Sequence, residues 1–386
     1  MARIALVTSS YLPRIGGVEE HVAHVARRLT ERGHSVVIWS VDQGDSVPPH
    51  DGGIPVRYLP CPLPSRSVRG ILSFAARAFG ARRAWRSALR LDRPEVIHIH
   101  CFGPNGVYAE QFVGRRPLVY SHHGETFMDT VFDESALLRR SLTRVLERAD
   151  AVTSCSAFAA RDLERFGLPA SRAKIVANGV QLDEPMGELP ASLRGSGAFI
   201  LGVGRLVEVK GFAALIRAYA MLVERHADRG VDLVVGGNGP DRERLRGLAE
   251  ELGVGARTRF TGALTRPQVG AVMAAARALV VPSHVEAFGI TVLEGWRAGI
   301  PVIATRNGGP AEIISDGEDG LLVDPESPDS IAAALSRVMA EPDVARALGE
   351  SGAKSVLAYT WDAAAAAYEE IYARLAQAGV VQLPSR

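Results

Sequence analysis

Short β-branched runs alternate with longer amphipathic runs along this chain, and the alternation occurs twice with a break between. Ile4–Ser9, Ser35–Ser40, Val96–His100, Leu118–Ser121 and Ala151–Cys155 have strand composition. Gly17–Arg32 has helical spacing, with Val18, Val22, Val25 and Leu29 on one stripe, and helical patterns recur near 68–91, 135–148 and 157–166. Strands alternating with helices predict a parallel sheet covered on both faces. Asp183–Gly197, rich in Pro, Gly and Glu, follows the turn Asn178-Gly179-Val180 and has the composition of a linker. The pattern then restarts with strands at Phe199–Val203, Asp232–Val235, Arg257–Phe260, Ala278–Val281 and Pro301–Ala304, and helices at 327–340, 343–356 and 362–378 close the chain. A length of 386 residues exceeds the ~250–300 at which one core stops growing, which agrees with two domains.

The composition narrows the function classes. A formal charge of +1 gives no global field toward nucleic acid, so no nucleic-acid partner is expected. Cys61, Cys101 and Cys155 show no paired spacing, which suggests a reducing compartment. The opening MARIALVTSS reads as a buried strand, not a signal peptide, and no apolar run approaches ~18 residues, so a cytoplasmic protein is expected.

In a parallel sheet, ligands bind beyond the carboxyl ends of the strands. Gly16 and Gly17 follow the first strand and open a helix, where backbone can approach an anion closely. After the fourth run come His122 and His123, whose side chains should point in opposite directions. A metal site built from His98, His100 and His123 lacks any supporting carboxylate or cysteine, and packed histidines near a strand end are the favoured reading.

In the second half, Gly202-Val203-Gly204 and Gly236-Gly237-Asn238-Gly239-Pro240 each fail the dinucleotide fingerprint, and no phosphate-binding G-x-x-x-x-G-K-[ST] loop exists. Gly204-Arg205-Leu206-Val207-Glu208-Val209-Lys210-Gly211 instead places two permanent cations five residues apart between a strand and a helix. Arg205 can fork onto phosphate oxygens, and Lys210 adds a point charge, as a diphosphate leaving group requires. Glu286-Ala287-Phe288-Gly289-Ile290-Thr291-Val292-Leu293-Glu294 opens a further helix at about Gly289, where N–H groups can receive a phosphate. Glu286 and Glu294 suit hydroxyl groups, one the transferred sugar and the other the ribose. Asn307-Gly308-Gly309-Pro310-Ala311-Glu312 adds a third glycine turn after a strand.

Taken in order, these motifs resemble those of the retaining GT-B glycosyltransferases of family 4. They are Gly-Gly after the first strand, His-Gly after the fourth run, G-R-L-x-x-x-K-G, E-x-F-G-x-x-x-L-E and G-G-x-x-E. The resemblance implies an α/β fold with two Rossmann-like domains facing each other across a cleft. Residues 1–182 form the acceptor-side domain, with 361–386 packing back on it as a C-terminal helix, and 183–360 bind the nucleotide sugar. It implies a nucleotide-diphosphate sugar donor, with no cofactor and no metal. By position, Arg205 and Lys210 bind the diphosphate and Glu294 the ribose. Glu286, Phe288 and Gly289 meet the sugar and phosphate together with Gly204, Ile290 and Thr291. Gly16 and Gly17 approach the phosphates, and His123 lies beside the reacting sugar. Two departures stand out: Glu208-Val209 replaces the family's common Pro-Glu, and Trp296-Arg297 replaces small or apolar residues, a change able to reshape the base pocket.

The mechanism implied is transfer of a hexosyl or N-acetylhexosaminyl group to an acceptor hydroxyl with retention, the donor phosphate taking the acceptor proton. No placed carboxylate nucleophile supports double displacement. The rivals are an epimerase or phosphorylase on the same fold, or a non-catalytic nucleotide-sugar binder. Lipid, glycan and small natural product all remain open as acceptors. Between Arg66 and Arg90 lie seven arginines (66, 69, 77, 82, 83, 86 and 90) and no acidic residue, with Ile71, Phe74, Ala78, Trp85 and Leu89 on one helical face. Such a helix can lie on the anionic inner face of a membrane, giving peripheral contact through residues 66–90. The alternative is a core-facing helix with solvated arginines.

Overall fold

A computed structural model describes residues 1–377 except 13, 15, 43, 45–49, 65–67, 129–130 and 226–229. The chain divides into two compact units, Met1–Asn178 with Trp361–Arg386, and Gly179–Thr360.

In the first unit, strands β1 (Arg3–Thr8), β2 (Ser35–Val41), β3 (His50–Asp51), β4 (Ile54–Leu59), β5 (Val96–His100), β6 (Leu118–His122), β7 (Ala151–Ser154) and β8 (Ala173–Ile175) form one sheet. Its order is β3-β4-β2-β1-β5-β6-β7-β8, parallel throughout except for the short β3–β4 pair. The central strands β5 and β6 are buried along their whole length, as expected when helices cover both faces. The order reverses between β1 and β5, so the crevice for a ligand opens beyond those strand ends. The last helix, Trp361–Gln377, belongs to this unit and packs along the helix Gly17–Glu31.

The helix Val68–Asp92 resolves the choice left open for the arginine-rich segment. Trp85 is fully buried, with its ring against Trp39, Tyr108 and Phe112, and Ala78, Ala81 and Ala88 lie beneath the same surface. Along the described part of the helix the apolar side, Ala78 and Trp85 with Leu89, faces the core and is not available to a bilayer, as the core-facing alternative has it. Arg77, Arg82, Arg83, Arg86 and Arg90 are exposed, joined by the exposed rings and chains of Phe79 and Leu91. Arg66 lies outside the described residues, as do the side chains at 69 and 71. Among the described residues, no helix is long and apolar enough to cross a membrane.

In the second unit, β9 (Phe199–Val203), β10 (Asp232–Gly236), β11 (Thr258–Gly262), β12 (Ala278–Val281), β13 (Val302–Thr305) and β14 (Leu321–Val323) form a sheet ordered β11-β10-β9-β12-β13-β14. All neighbours are parallel, and the order reverses between β9 and β12. Each unit is therefore a Rossmann-like doubly wound sheet with its own switch point.

Candidate active site

The switch point of the second unit is built by four loops, each leaving the carboxyl end of a strand. Backbone bonds lace them together. Gly204 N–H donates to Gly236 O at 3.0 Å, Leu206 N–H to Asn238 O at 2.9 Å, and His284 N–H to Val209 O at 2.9 Å. The turn at 208–210 ends on Gly211, which has φ +67°; a Cβ there would stand 1.9 Å from Pro282 O. Only glycine lets the Lys210 loop lie directly against the loop after β12.

That contact delivers Lys210 to Glu286. Lys210 Nζ donates to Glu286 Oε2 at 2.6 Å, and Ser283 Oγ donates to the same oxygen at 3.0 Å. The Glu286 backbone is held from the other side by the third glycine turn. Its N–H donates to Asn307 O at 3.1 Å and its carbonyl accepts from Gly309 N–H at 2.9 Å. Gly308, at φ +126°, would put a Cβ 1.9 Å from Glu286 O. The glycine pair at 308–309 thus seats the carboxylate, a role that its spacing alone did not show. Arg205 is exposed, and among the described residues its guanidinium has no hydrogen-bond or ion-pair partner. Of the two cations, Lys210 is held in place and Arg205 is not.

Gly289, at φ +99°, caps the helix Ile290–Arg297. The N–H groups of Ile290 and Thr291 begin it and, as at any helix start, lack acceptors within the helix. Phe288 is buried, with its ring 6.2 Å from that of Tyr359, so this residue offers backbone and not its ring to the site. Glu294 lies one turn further, buried, and its Oε1 accepts from Arg266 Nη1. Arg266 Nη2 also donates to Glu184 Oε2 at 3.3 Å, and Arg297 Nη1 donates to that oxygen at 2.7 Å and to Gln181 O at 2.8 Å. Burial pushes the Glu294 carboxyl above its ordinary range, and Arg266 and then Arg297 oppose that push. Glu184 and Arg266 are additions that the sequence motifs did not reveal; Arg297, read there as a departure able to reshape the base pocket, joins them near Glu294. Trp296 is fully buried, donates from Nε1 to Asp319 O at 2.7 Å, and packs so closely on Gly352 that a Cβ there would meet its ring at 2.2 Å. Its bulk serves the core.

In the first unit, Gly16 caps the helix Gly17–Glu31 in an extended conformation. Glu19, in the first turn, reaches back to Ser10 Oγ and covers Gly16, where a Cβ would lie 2.6 Å from its carboxylate. A side-chain carboxylate thus stands at the helix start where the motif suggested a phosphate.

His122 and His123 turn to opposite sides. His122 is buried, with Nδ1 3.2 Å from Tyr120 Oη and 3.2 Å from Glu125 Oε2. Half-buried His123 has Nε2 3.2 Å from His100 Nδ1. Glu125 fixes this corner by accepting from the N–H of His123 at 2.8 Å, the N–H of Phe102 at 2.6 Å and Tyr120 Oη at 2.8 Å. Burial opposes its ionisation, but His122 and these donors prevail and hold its pKa at about 2. Behind His123 lie three more buried histidines. His21 pairs through Nδ1 with Asn178 Oδ1 at 2.7 Å and through Nε2 with Tyr368 Oη at 3.1 Å. His98 pairs with Tyr372 Oη at 2.6 Å and Ser121 Oγ at 2.7 Å. Burial, reinforced by neighbouring imidazoles, keeps His21, His98 and His100 well below the ordinary value of 6.5 and lowers His123 to about 4. All four are neutral near pH 7.

Family models match along most of the chain: Glycosyltransferase Family 4 over residues 15–184 and Glycosyl transferases group 1 over residues 191–355. An uncharacterised glycosyltransferase of Methanocaldococcus jannaschii is 30% identical over 383 residues, covering 93% of this chain and 95% of its own. The GDP-mannose-dependent alpha-(1-6)-phosphatidylinositol monomannoside mannosyltransferase of Mycobacterium tuberculosis is 29% identical over 393 residues, covering 95% and 97%. Among solved structures, sucrose-phosphate synthase from Thermosynechococcus elongatus superposes with a TM-score of 0.80 at 23% identity, covering 97% of this chain and 99% of its own. The chain belongs to glycosyltransferase family 4, and its fold is that of the GT-B enzymes.

Proposed function

We propose that this glycosyltransferase moves a hexosyl or N-acetylhexosaminyl group from a nucleotide-diphosphate sugar to an acceptor hydroxyl, with retention at the anomeric carbon. The observation that carries the reading is the Lys210–Glu286 pair at the second switch point, beside the start of the helix Ile290–Arg297. Lys210 has three N–H donors and uses one on Glu286, leaving others for a phosphate oxygen. Arg205 adds a second cation, and the N–H groups of Ile290 and Thr291 add helix-terminal donors. Together they stabilise charge that develops on the diphosphate as the C1–O bond breaks. The acceptor oxygen forms the new bond to C1, and its proton passes to the departing phosphate. Glu286, with one oxygen occupied by Lys210 and Ser283, has the other to accept from sugar hydroxyls. Glu294 takes the ribose, and His123, neutral near pH 7, is the residue of the first unit that we assign to the reacting sugar. Cationic side chains, not a divalent ion, do the work of holding the diphosphate. The mannosyltransferase named above, whose donor is GDP-mannose and whose acceptor is a lipid, supports a nucleotide-sugar donor and keeps a lipid among the candidate acceptors.

Titration calorimetry separates the two carboxylates. Glu294→Gln should weaken both the free nucleoside diphosphate and the sugar-bearing donor, since both contain ribose. Glu286→Gln should weaken only the donor. Each lost charge-assisted hydrogen bond is worth about 1.5–3 kcal/mol, or roughly 10–100-fold in affinity. Equal losses for both variants with both ligands would refute this division.

A further inference from the structure

Beyond the reading above, we infer that His21, His100 and His123 form a binding site for a divalent transition-metal ion such as Zn²⁺, and that filling it removes His123 from service. One ring nitrogen from each residue lies within 4.8 Å of the other two. Zinc bound tetrahedrally at 2.0–2.1 Å requires nitrogens about 3.3 Å apart. His100 Nδ1 and His123 Nε2 are already 3.2 Å apart.

The rings are prepared for coordination in two further respects. A metal takes neutral imidazole, and burial keeps all three in that form. In metal sites the other ring N–H of a coordinating histidine usually has an acceptor, which sets the tautomer and orients the ring, and here His21 has one. Asn178 Oδ1 is that acceptor for His21 Nδ1–H, which leaves the His21 lone pair on Nε2. Tyr368 Oη now donates to that nitrogen and is the group a metal displaces. His100 Nε2 is buried and has no partner among the described residues. It can carry the ring hydrogen when Nδ1 turns to the metal, so all three imidazoles remain neutral and no proton is lost. His98, the other buried histidine of the stack, lies outside the group whose ring nitrogens come together, and Tyr372 and Ser121 hold its two nitrogens. The set weighed from sequence, His98, His100 and His123, therefore exchanges His98 for His21. His123, only half-buried, is the most solvent-accessible of the three.

The site itself stands apart from the proposed reaction; only the loss of function rests on the role given to His123. The test uses the full chain without substrate. Calorimetry with Zn²⁺ alone should show one ion per chain, and Co²⁺ alone should give the intense visible absorption of a tetrahedral site. His21→Gln and His100→Gln should each abolish the Co²⁺ spectrum and weaken Zn²⁺ by more than the roughly 10–100-fold expected for Asn178→Ala, which removes only an orienting partner. His98→Gln disturbs the same buried stack and should leave Zn²⁺ affinity within a few-fold. Loss in His98→Gln equal to that in His100→Gln, or absence of a tetrahedral Co²⁺ spectrum in the wild type, would overturn the site. With the site shown filled, turnover should fall and return on adding chelator; unchanged turnover would overturn the inhibitory part alone. Failure of every nucleotide sugar to react would sink the proposed function and leave the Co²⁺ and Zn²⁺ results standing.

Discussion

Arg205→Ala is expected to cut turnover by about a hundredfold or more while leaving the melting temperature where it was. The magnitude is that of removing one preorganised donor from a site of developing negative charge, about 2.7–4 kcal/mol of transition-state stabilisation. The unchanged stability follows from its surroundings: Arg205 is exposed and has no partner among the described residues. Lys210→Ala should show a comparable kinetic loss but with a different companion effect. Lys210 donates to Glu286 at 2.6 Å, so its removal leaves that partly buried carboxylate with only the Ser283 hydroxyl. Stability should drop by about 1–3 kcal/mol, the usual cost of an abandoned buried polar partner. Steady-state kinetics and thermal melts on the two purified variants decide it. Wild-type turnover in Arg205→Ala would remove the cation from the diphosphate clamp. Equal melting losses in both variants would contradict the contrast between a held and a free cation.

Mild acid is expected to destabilise the first unit steeply. His21, His98, His100 and His123 are neutral when folded because burial lowers their pKa values, His123 to about 4. Unfolded, each binds a proton near its ordinary value of 6.5. The unfolded chain then holds more protons than the folded one once the pH falls below 6.5, and stability declines with it. Each such histidine contributes about 1.4 kcal/mol per pH unit in that window, so four together cost on the order of 5 kcal/mol at pH 5.5. Their contribution is fully present only well above pH 6.5. Glu125, held at about 2 against an ordinary 4.5, adds a loss only at lower pH. Denaturant unfolding with chelator present, at pH 7.5, 6.5 and 5.5, should show a loss of roughly 1 kcal/mol over the first step and about three times that over the second. A flat profile down to pH 5.5 would mean that the histidines are charged or solvated in the folded protein.

What could be read in the sequence divides along a physical line. Long apolar strands were legible because burial on both faces leaves a continuous signal, as in Val96–His100 and Leu118–His122. β4 escaped because Pro55 and Arg57 interrupt its pattern; Arg57 is accommodated by a pairing with Asp92, which also accepts from Trp39 Nε1 at 2.9 Å. β8 and β14, three residues each, are too short to display any period. The site divides the same way. Arg205 and Lys210 share one loop, and Glu286 and Glu294 share one segment, so contiguous motifs expose them. The partners of Glu294 and His21 could not be found so: Arg266 is 28 residues from Glu294, and Tyr368 is 347 residues from His21. Buried polar groups demand partners, but only the folded chain says which ones answer. The arginine-rich helix teaches a related caution. Its wheel was amphipathic, and the apolar side proved to be core, as is usual for a helix covering a sheet.

Glycosyl transfer from a nucleotide-diphosphate sugar is tested most directly by adding a panel of such sugars, and their free nucleoside mono- and diphosphates, to the purified protein and reading the melting temperature. One base should stand out, with its sugar-bearing diphosphate and free diphosphate both raising the melting temperature, and its monophosphate doing much less because Lys210, Arg205 and the helix start at Ile290 act on the second phosphate. A ligand at a hundred times its Kd adds about 2.7 kcal/mol to stability, a shift easily resolved. No shift with any nucleotide sugar, or equal shifts with mono- and diphosphate, would contradict a donor site built on that clamp.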